Sequence, residues 1–152
     1  MKYQELSNAR GEKQIEIMKE LETTGECFLC PDTISRISKK YEGVATPIIY
    51  EDGDIFVKKN DFPYEGTKLH LLVVPKRHLT RIEEFTQEEF AKLKEVFAWI
   101  NATYEVKGAS LFMRYGEMTY TGASLSHLHF HVLHGEPSSK KSEAIRVKLG
   151  YK

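Results

Sequence analysis

The segment Ser126-His127-Leu128-His129-Phe130-His131-Val132 limits the folds open to this chain more than any other stretch. Its polar and apolar residues alternate strictly, and a period of two fits an extended strand rather than a helix. On such a strand His127, His129 and His131 share one face, while Leu128, Phe130 and Val132 share the other. The plainest reading makes the imidazoles the wet side of a half-buried strand. Two chemical readings compete with it. Alternating histidines can bind a catalytic transition metal, since imidazole is a common ligand. Alternatively one ring is a nucleophile: at neutral pH imidazole has an unprotonated nitrogen that attacks phosphorus and leaves again, while flanking rings donate to the phosphate oxygens.

The remaining segments supply partners for that strand. Leu6, Ile15, Met18 and Leu21 predict an amphipathic N-terminal helix that Gly25 ends, and residues 32 to 46 read as loop with at most a short turn of helix. Pro47-Ile48-Ile49-Tyr50 and Ile55-Phe56-Val57-Lys58 flank Glu51-Asp52-Gly53-Asp54, where Asp-Gly between β-formers predicts a hairpin. Asn60 to Gly66 is turn-rich, and Lys68 to Val74 reads as a buried strand that Pro75 closes. Thr86 and Glu89 form a capping box before a long helix with Phe90, Leu93, Phe97 and Ile100 on its apolar face. Ser110 to Tyr115 and Ser126 to Leu133 are two more strands, and Ala144 to Leu149 alternates like a short edge strand. The fold class is therefore α+β, with a mainly antiparallel sheet, a long helix packed on it and an N-terminal helix.

At 152 residues and 41% hydrophobic content the chain is expected to form one domain. That domain comprises a helical extension over 1–25, a core over 26–134 and a tail over 135–152. The 22 basic and 22 acidic side chains cancel, which argues against grip on long nucleic acid and leaves small phosphorylated ligands open. No apolar run of about 18 residues and no secretion signal is present, so a cytoplasmic address is expected and no membrane partner. In a reducing compartment Cys27-x-x-Cys30 is a metal-binding or redox pair rather than a structural disulfide.

The stretch His127-Leu128-His129-Phe130-His131-Val132-Leu133 resembles, at all seven positions, the His-φ-His-φ-His-φ-φ signature (φ apolar) of the histidine-triad nucleotide hydrolases and transferases. Leu69 to His78, with its Pro75-Lys76-Arg77-His78 turn, is similar to that family's strand and following turn. Asn60-x-Phe62-Pro63-Tyr64 is similar to a loop of the dinucleoside-polyphosphate phosphorylase-like branch. The resemblance covers roughly residues 26 to 134 and implies a five-stranded sheet. It further implies that His129 attacks an α-phosphorus to form a nucleotidyl-histidine, with water or another phosphate as the acceptor. His131, His70 and Ser124 are then phosphate-side residues, Asn60 holds the ribose, and Phe62 or Pro63 walls the base.

The same resemblance implies a structural zinc on Cys27, Cys30, His78 and His127, a homodimer, and a dinucleoside polyphosphate or nucleoside phosphoramidate as substrate. A nucleotide-binding adaptor with little turnover is the alternative. Two positions depart from the family pattern: Gly116 stands where many members have Asn, and Ala123 where many have Gln. Arg114, Glu117 or backbone groups are the available substitutes, and His134 is expected to be a surface histidine without a role.

Overall fold

The computed structural model describes residues 2–45, 47–140 and 143–152. A 3-10 turn over Leu6–Asn8 precedes helix α1, Glu12–Thr24, so the first helix starts later than its apolar pattern implied. Gln14, Ile17, Met18 and Leu21 form its buried stripe, and Gly25, at φ 71°, ends it in the left-handed conformation that glycine adopts most readily. A second helix, α2, Pro31–Lys40, replaces the expected loop. Its signals are local: Pro31 at the first helical position, Asp32 in the first turn, Lys39 and Lys40 in the last, and Thr33, Ile34 and Ile37 on one buried face. Thr46, at the end of that expected loop, lies outside the described residues.

The sheet is antiparallel with strand order β1-β2-β3-β5-β4. Strands β1 (Ile48–Asp52) and β2 (Ile55–Lys59) form the hairpin that Asp-Gly predicts, and β3 (Leu69–Pro75) follows the turn-rich loop. Helix α3, Gln87–Thr103, opens on the predicted capping box. Glu89 N–H donates to Thr86 Oγ1 at 3.2 Å, and Thr86 N–H donates to Glu89 Oε2 at 2.8 Å. Leu93, Val96 and Ile100 face inward from α3, whereas Phe90 is 45% exposed and lies off the core stripe assigned to it. Strand β4 (Ser110–Met113), a single turn of helix α4 (Met118–Thr121) and β5 (Phe130–His134) complete the elements.

Alternation along β2, β3 and β5 divides two cores between the faces of this sheet. One face carries Ile55, Val57, Leu71, Val73, Leu128 and Val132 against α3. The other carries Phe56, Leu72 and Val74 against α1, α2 and the Cys27–Leu29 knuckle. The three signature histidines belong to this second face and are buried beneath the N-terminal helices, not wet. The tail forms no strand over 144–149. It runs past α4 instead, where Gly122, at φ 73°, leaves room that a Cβ would lose at 3.0 Å from the Lys148 side chain. Removing one half of the α3 cap with Thr86→Ala should cost about 1 kcal/mol. Urea titration checks this: the midpoint falls with an unchanged slope, and an unaltered midpoint contradicts the role given to the cap.

Candidate active site and metal centre

The knuckle, the end of β3 and the start of the histidine row meet under α1 and α2. Cys27 Sγ lies 3.5 Å from Nδ1 of His127, and Cys30 Sγ lies 3.8 Å from that nitrogen and 3.8 Å from Nδ1 of His78. The four ligand atoms fall within 4.8 Å of one another. A tetrahedron with metal–sulfur bonds of about 2.3 Å and metal–nitrogen bonds of about 2.05 Å has edges of roughly 3.3–3.8 Å, which the three sulfur–nitrogen distances match and to which the widest pair would close on binding such an ion. Donor chemistry agrees. His127 Nε2 sits 2.8 Å from the Pro75 carbonyl, which only accepts, so Nε2 carries the proton and Nδ1 turns its lone pair toward the sulfurs. The bond from the Cys27 thiol, aided by His127 and His78, pushes Cys30 down to about 3, while the same bond and burial push Cys27 up.

Two residues on, the backbone is extended but not yet laddered, since regular pairing in β5 begins only at Phe130. Here Leu128 N–H bonds the Leu79 carbonyl at 2.7 Å. His129 Nδ1 lies 2.7 Å from the carbonyl of His127, so by the same argument the proton sits on Nδ1 and Nε2 keeps its lone pair. Burial holds this ring's pKa down to about 4, with the charges of Arg114 and Lys58 adding to the effect. His129 is thus neutral at pH 7, and it lines a cavity of about 90 Å³ together with His131, Ser124, Asn60 and Phe62.

His131 is oriented by a relay across the β3–β5 pair. Tyr64 N–H donates to His70 Nδ1 at 3.2 Å, which leaves the proton of the neutral His70 ring on Nε2, 2.8 Å from His131 Nδ1. His131 therefore points an Nε2–H outward, where Arg114 Nη1 stands 3.5 Å away. Two donors face one spot with no acceptor between them, which is the arrangement an oxyanion satisfies. Phe112, opposite His131 across the β4–β5 pair, stacks on its ring at 4.5 Å and 9° and fixes its plane. Burial, then neighbouring charge, holds both His70 and His131 below the usual imidazole range, His70 at about 3.

Comparison with known proteins identifies the family. Residues 33–146 match the sequence profile of the family described as "Scavenger mRNA decapping enzyme C-term binding". An uncharacterized HIT-like protein of Chlamydia muridarum is 29% identical over 89 residues, 57% of this chain and 69% of that one. The chain belongs to the histidine-triad (HIT) family.

Among solved structures, a HIT family hydrolase from Clostridium thermocellum superposes with a TM-score of 0.52 at 22% identity, over 73% of this chain and 94% of its own. A hypothetical histidine triad nucleotide-binding protein from Sulfolobus tokodaii gives 0.51 at 25% identity, over 78% and 80%. The former likeness is one of fold.

Within this HIT domain most of the expected site residues come together, with three adjustments. His70 lies behind His131 and does not line the cavity, so it orients that ring instead of meeting a ligand. Pro63 is exposed and off the cavity wall, whereas Phe62 lines it together with the apolar Ile17, Met18, Phe28 and Leu29. Asn60 lines the cavity but spends Oδ1 on Phe62 N–H at 3.0 Å and lays its amide nitrogen 3.1 Å from His70 Nε2. Of the substitutes for the missing Asn and Gln, Arg114 reaches the cavity and the exposed Glu117 does not. His134 is half-buried and donates from Nδ1 to the Gly108 carbonyl at 2.6 Å.

Sequence reasoning missed the roof. Tyr3 to Glu5 pairs with the loop before the signature, through Ser126 N–H to the Tyr3 carbonyl and Glu5 N–H to the Ser124 carbonyl, both at 3.0 Å. Gln14 then brings Nε2 to 3.3 Å from Ser124 Oγ. A glutamine inside the apolar stripe of α1 was the one signal available.

A neutral His70 also has a consequence for stability. Its folded pKa lies below its unfolded value, so the unfolded chain binds more protons between about pH 6.5 and 3, and stability falls as pH falls through that window. Unfolding free energy measured from pH 7 to 4 should decline less steeply in His70→Asn than in the parent; equal slopes contradict the assignment.

Proposed function

We propose that the protein transfers a nucleotidyl group from a nucleotide phosphoester or phosphoanhydride through a covalent intermediate on His129. The observation that carries this reading is the orientation of one ring. Its Nδ1 proton is tied to the His127 carbonyl, its Nε2 lone pair belongs to a neutral buried imidazole, and the ring lines the cavity beside the His131 and Arg114 donors. In the first step His129 Nε2 bonds to the α-phosphorus, the bond from phosphorus to the leaving group breaks, and its electron pair departs with that group. His131 Nε2–H and Ser124 stabilise the charge on the non-bridging oxygens. In the second step water attacks phosphorus, the phosphorus–nitrogen pair returns to Nε2 and a proton passes to solvent; inorganic phosphate in place of water makes the protein a phosphorylase.

A cavity of about 90 Å³ admits a phosphate-sized group, whereas nucleotide-sized ligands fill pockets of roughly 300–1,000 Å³. In this reading the strap formed by residues 3–10 shifts as the nucleoside enters between Phe62 and Asn60. The same closed roof is what favours the second reading, an adaptor that binds nucleotide and turns over slowly. Zinc on Cys27, Cys30, His78 and His127 is structural, since four protein ligands leave no open position for substrate. We take the chain to act in a reducing, cytoplasmic setting that keeps both cysteines as thiols. We also take it to act as a homodimer, for which the free edge of β4 and its 52% exposed Leu111 offer a surface. Among the described residues no helix is long and apolar enough to cross a membrane.

Incubation with diadenosine tetraphosphate, adenosine 5′-phosphoramidate or ADP, with and without inorganic phosphate, tests the chemistry. Intact mass should show a nucleotidyl adduct that His129→Ala does not form, with activity lower by about 10³-fold or more. Release of AMP in water marks a hydrolase, and phosphate-dependent ADP a phosphorylase. Tight nucleotide binding without any adduct favours the adaptor.

Elemental analysis tests the metal. One zinc per chain is expected, lost in Cys27→Ser with a lower unfolding temperature. Activity that returns to chelated protein in proportion to added metal, with Cys27→Ser unaffected, contradicts a structural role.

A further inference from the structure

Three cations reach the cavity from outside the histidine row: Arg10 before α1, Arg114 after β4 and Lys148 in the tail. Arg10 lies 4.2 Å over the Tyr64 ring and donates to the Phe62 carbonyl. Arg114 donates from Nε to the Thr121 carbonyl at 3.1 Å and from Nη2 to the Lys148 carbonyl, which leaves Nη1 beside His131. Lys148 Nζ rests 3.2 Å from both Asn8 Oδ1 and the Tyr151 hydroxyl. Every one of these partners is neutral. Among the described residues none of the three cations pairs with a carboxylate, and the carboxylate that does line the cavity, Asp61, is bound by buried Lys58 at 2.6 Å.

Like charges gathered without counter-charge repel one another, and the fields of Arg10 and Arg114 reach far enough to oppose protonation of His70 and His131. A multivalent anion is the ligand that relieves this. We infer that Arg10, Arg114 and Lys148 form a subsite for the leaving group of the substrate, and that this leaving group is a chain of two or more phosphates rather than an amine. The inference rests on the reading of His129 as nucleophile, which places the α-phosphorus beside that ring in the cavity. When the bond from α-phosphorus to the bridging oxygen breaks, the electron pair moves onto the departing phosphate chain, and guanidinium and ammonium groups stabilise that charge directly. An amine leaving from a phosphoramidate departs neutral only after taking up a proton, which the permanently charged guanidiniums of Arg10 and Arg114 do not supply. Their placement therefore selects polyphosphate esters over phosphoramidates.

Calorimetric titration of the zinc-loaded protein with inorganic tripolyphosphate and with orthophosphate, at fixed ionic strength, tests the subsite without requiring turnover. Tripolyphosphate should bind at least about 20-fold more tightly, and Arg10→Gln and Lys148→Gln should each weaken it about 5- to 10-fold, the scale of one net hydrogen bond. Arg10→Lys should recover most of the loss, and Lys107→Gln, away from the cavity, should change nothing. The ratio of kcat/KM for diadenosine tetraphosphate to that for adenosine 5′-phosphoramidate should fall in Arg10→Gln and Lys148→Gln by the same factor as binding. Equal affinity for the two anions, or no recovery with Arg10→Lys, overturns the inference. Selective tripolyphosphate binding with no adduct on His129 sinks the catalytic reading and leaves the anion subsite standing; an adduct without selectivity does the reverse.

Discussion

The Nδ1 proton of His129 rests on the carbonyl of His127, 2.7 Å away, and the ring of His127 is itself turned toward two cysteines. One residue therefore holds the knuckle with its side chain and sets the tautomer of its neighbour's ring with its backbone. Residues 126–129 have little ladder pairing to hold them, so the cysteine–histidine cluster and the Leu128–Leu79 bond position this backbone. The direction of the His129 lone pair follows from that placement. A metal remote from the reacting atoms can in this way matter to chemistry by fixing a carbonyl.

The other half of the site comes from the sheet. Antiparallel pairing of β3 with β5 places Leu72 opposite His131, which makes His70 its diagonal neighbour on the same face, within reach of a hydrogen bond. Tyr64 N–H sets the His70 tautomer, His70 sets that of His131, and the result is a donor aimed at the cavity. The cost is burial: the imidazoles of His70, His129 and His131 are withdrawn from water and lose their affinity for protons. Beside these three neutral rings stand Arg10, Arg114 and Lys148, which among the described residues have no carboxylate partner.

Much of this was legible in the residues because the period-two alternation of 126–132 and the Asp52-Gly53 turn are local signals whose physics does not depend on the rest of the fold. The capping box of Thr86 and Glu89 belongs with them. Helix α2 was legible but misread, since its Pro31 start and one-sided Thr33, Ile34 and Ile37 sit among polar residues that resemble loop. The tail was misread for the opposite reason: Ala144 to Leu149 alternates, and Ile145 and Val147 line a pocket with Ser110 and Phe112, yet the tail makes no ladder with β4, and Arg114 and Asn8 bond Lys148 instead. Arg10, Gln14 and Lys148 reach the cavity through contacts that span 52, 110 and 140 residues of sequence, and no window of sequence encodes such proximity.

A crystal structure of the protein grown with adenosine and orthovanadate decides the role of His129, because vanadate adopts the five-coordinate geometry of phosphoryl transfer. A nucleophilic His129 places vanadium on its Nε2, with the equatorial oxygens on His131 Nε2 and Arg114. Vanadium bonded to another histidine, or His129 found with Nε2 turned away and its proton on that nitrogen, contradicts it.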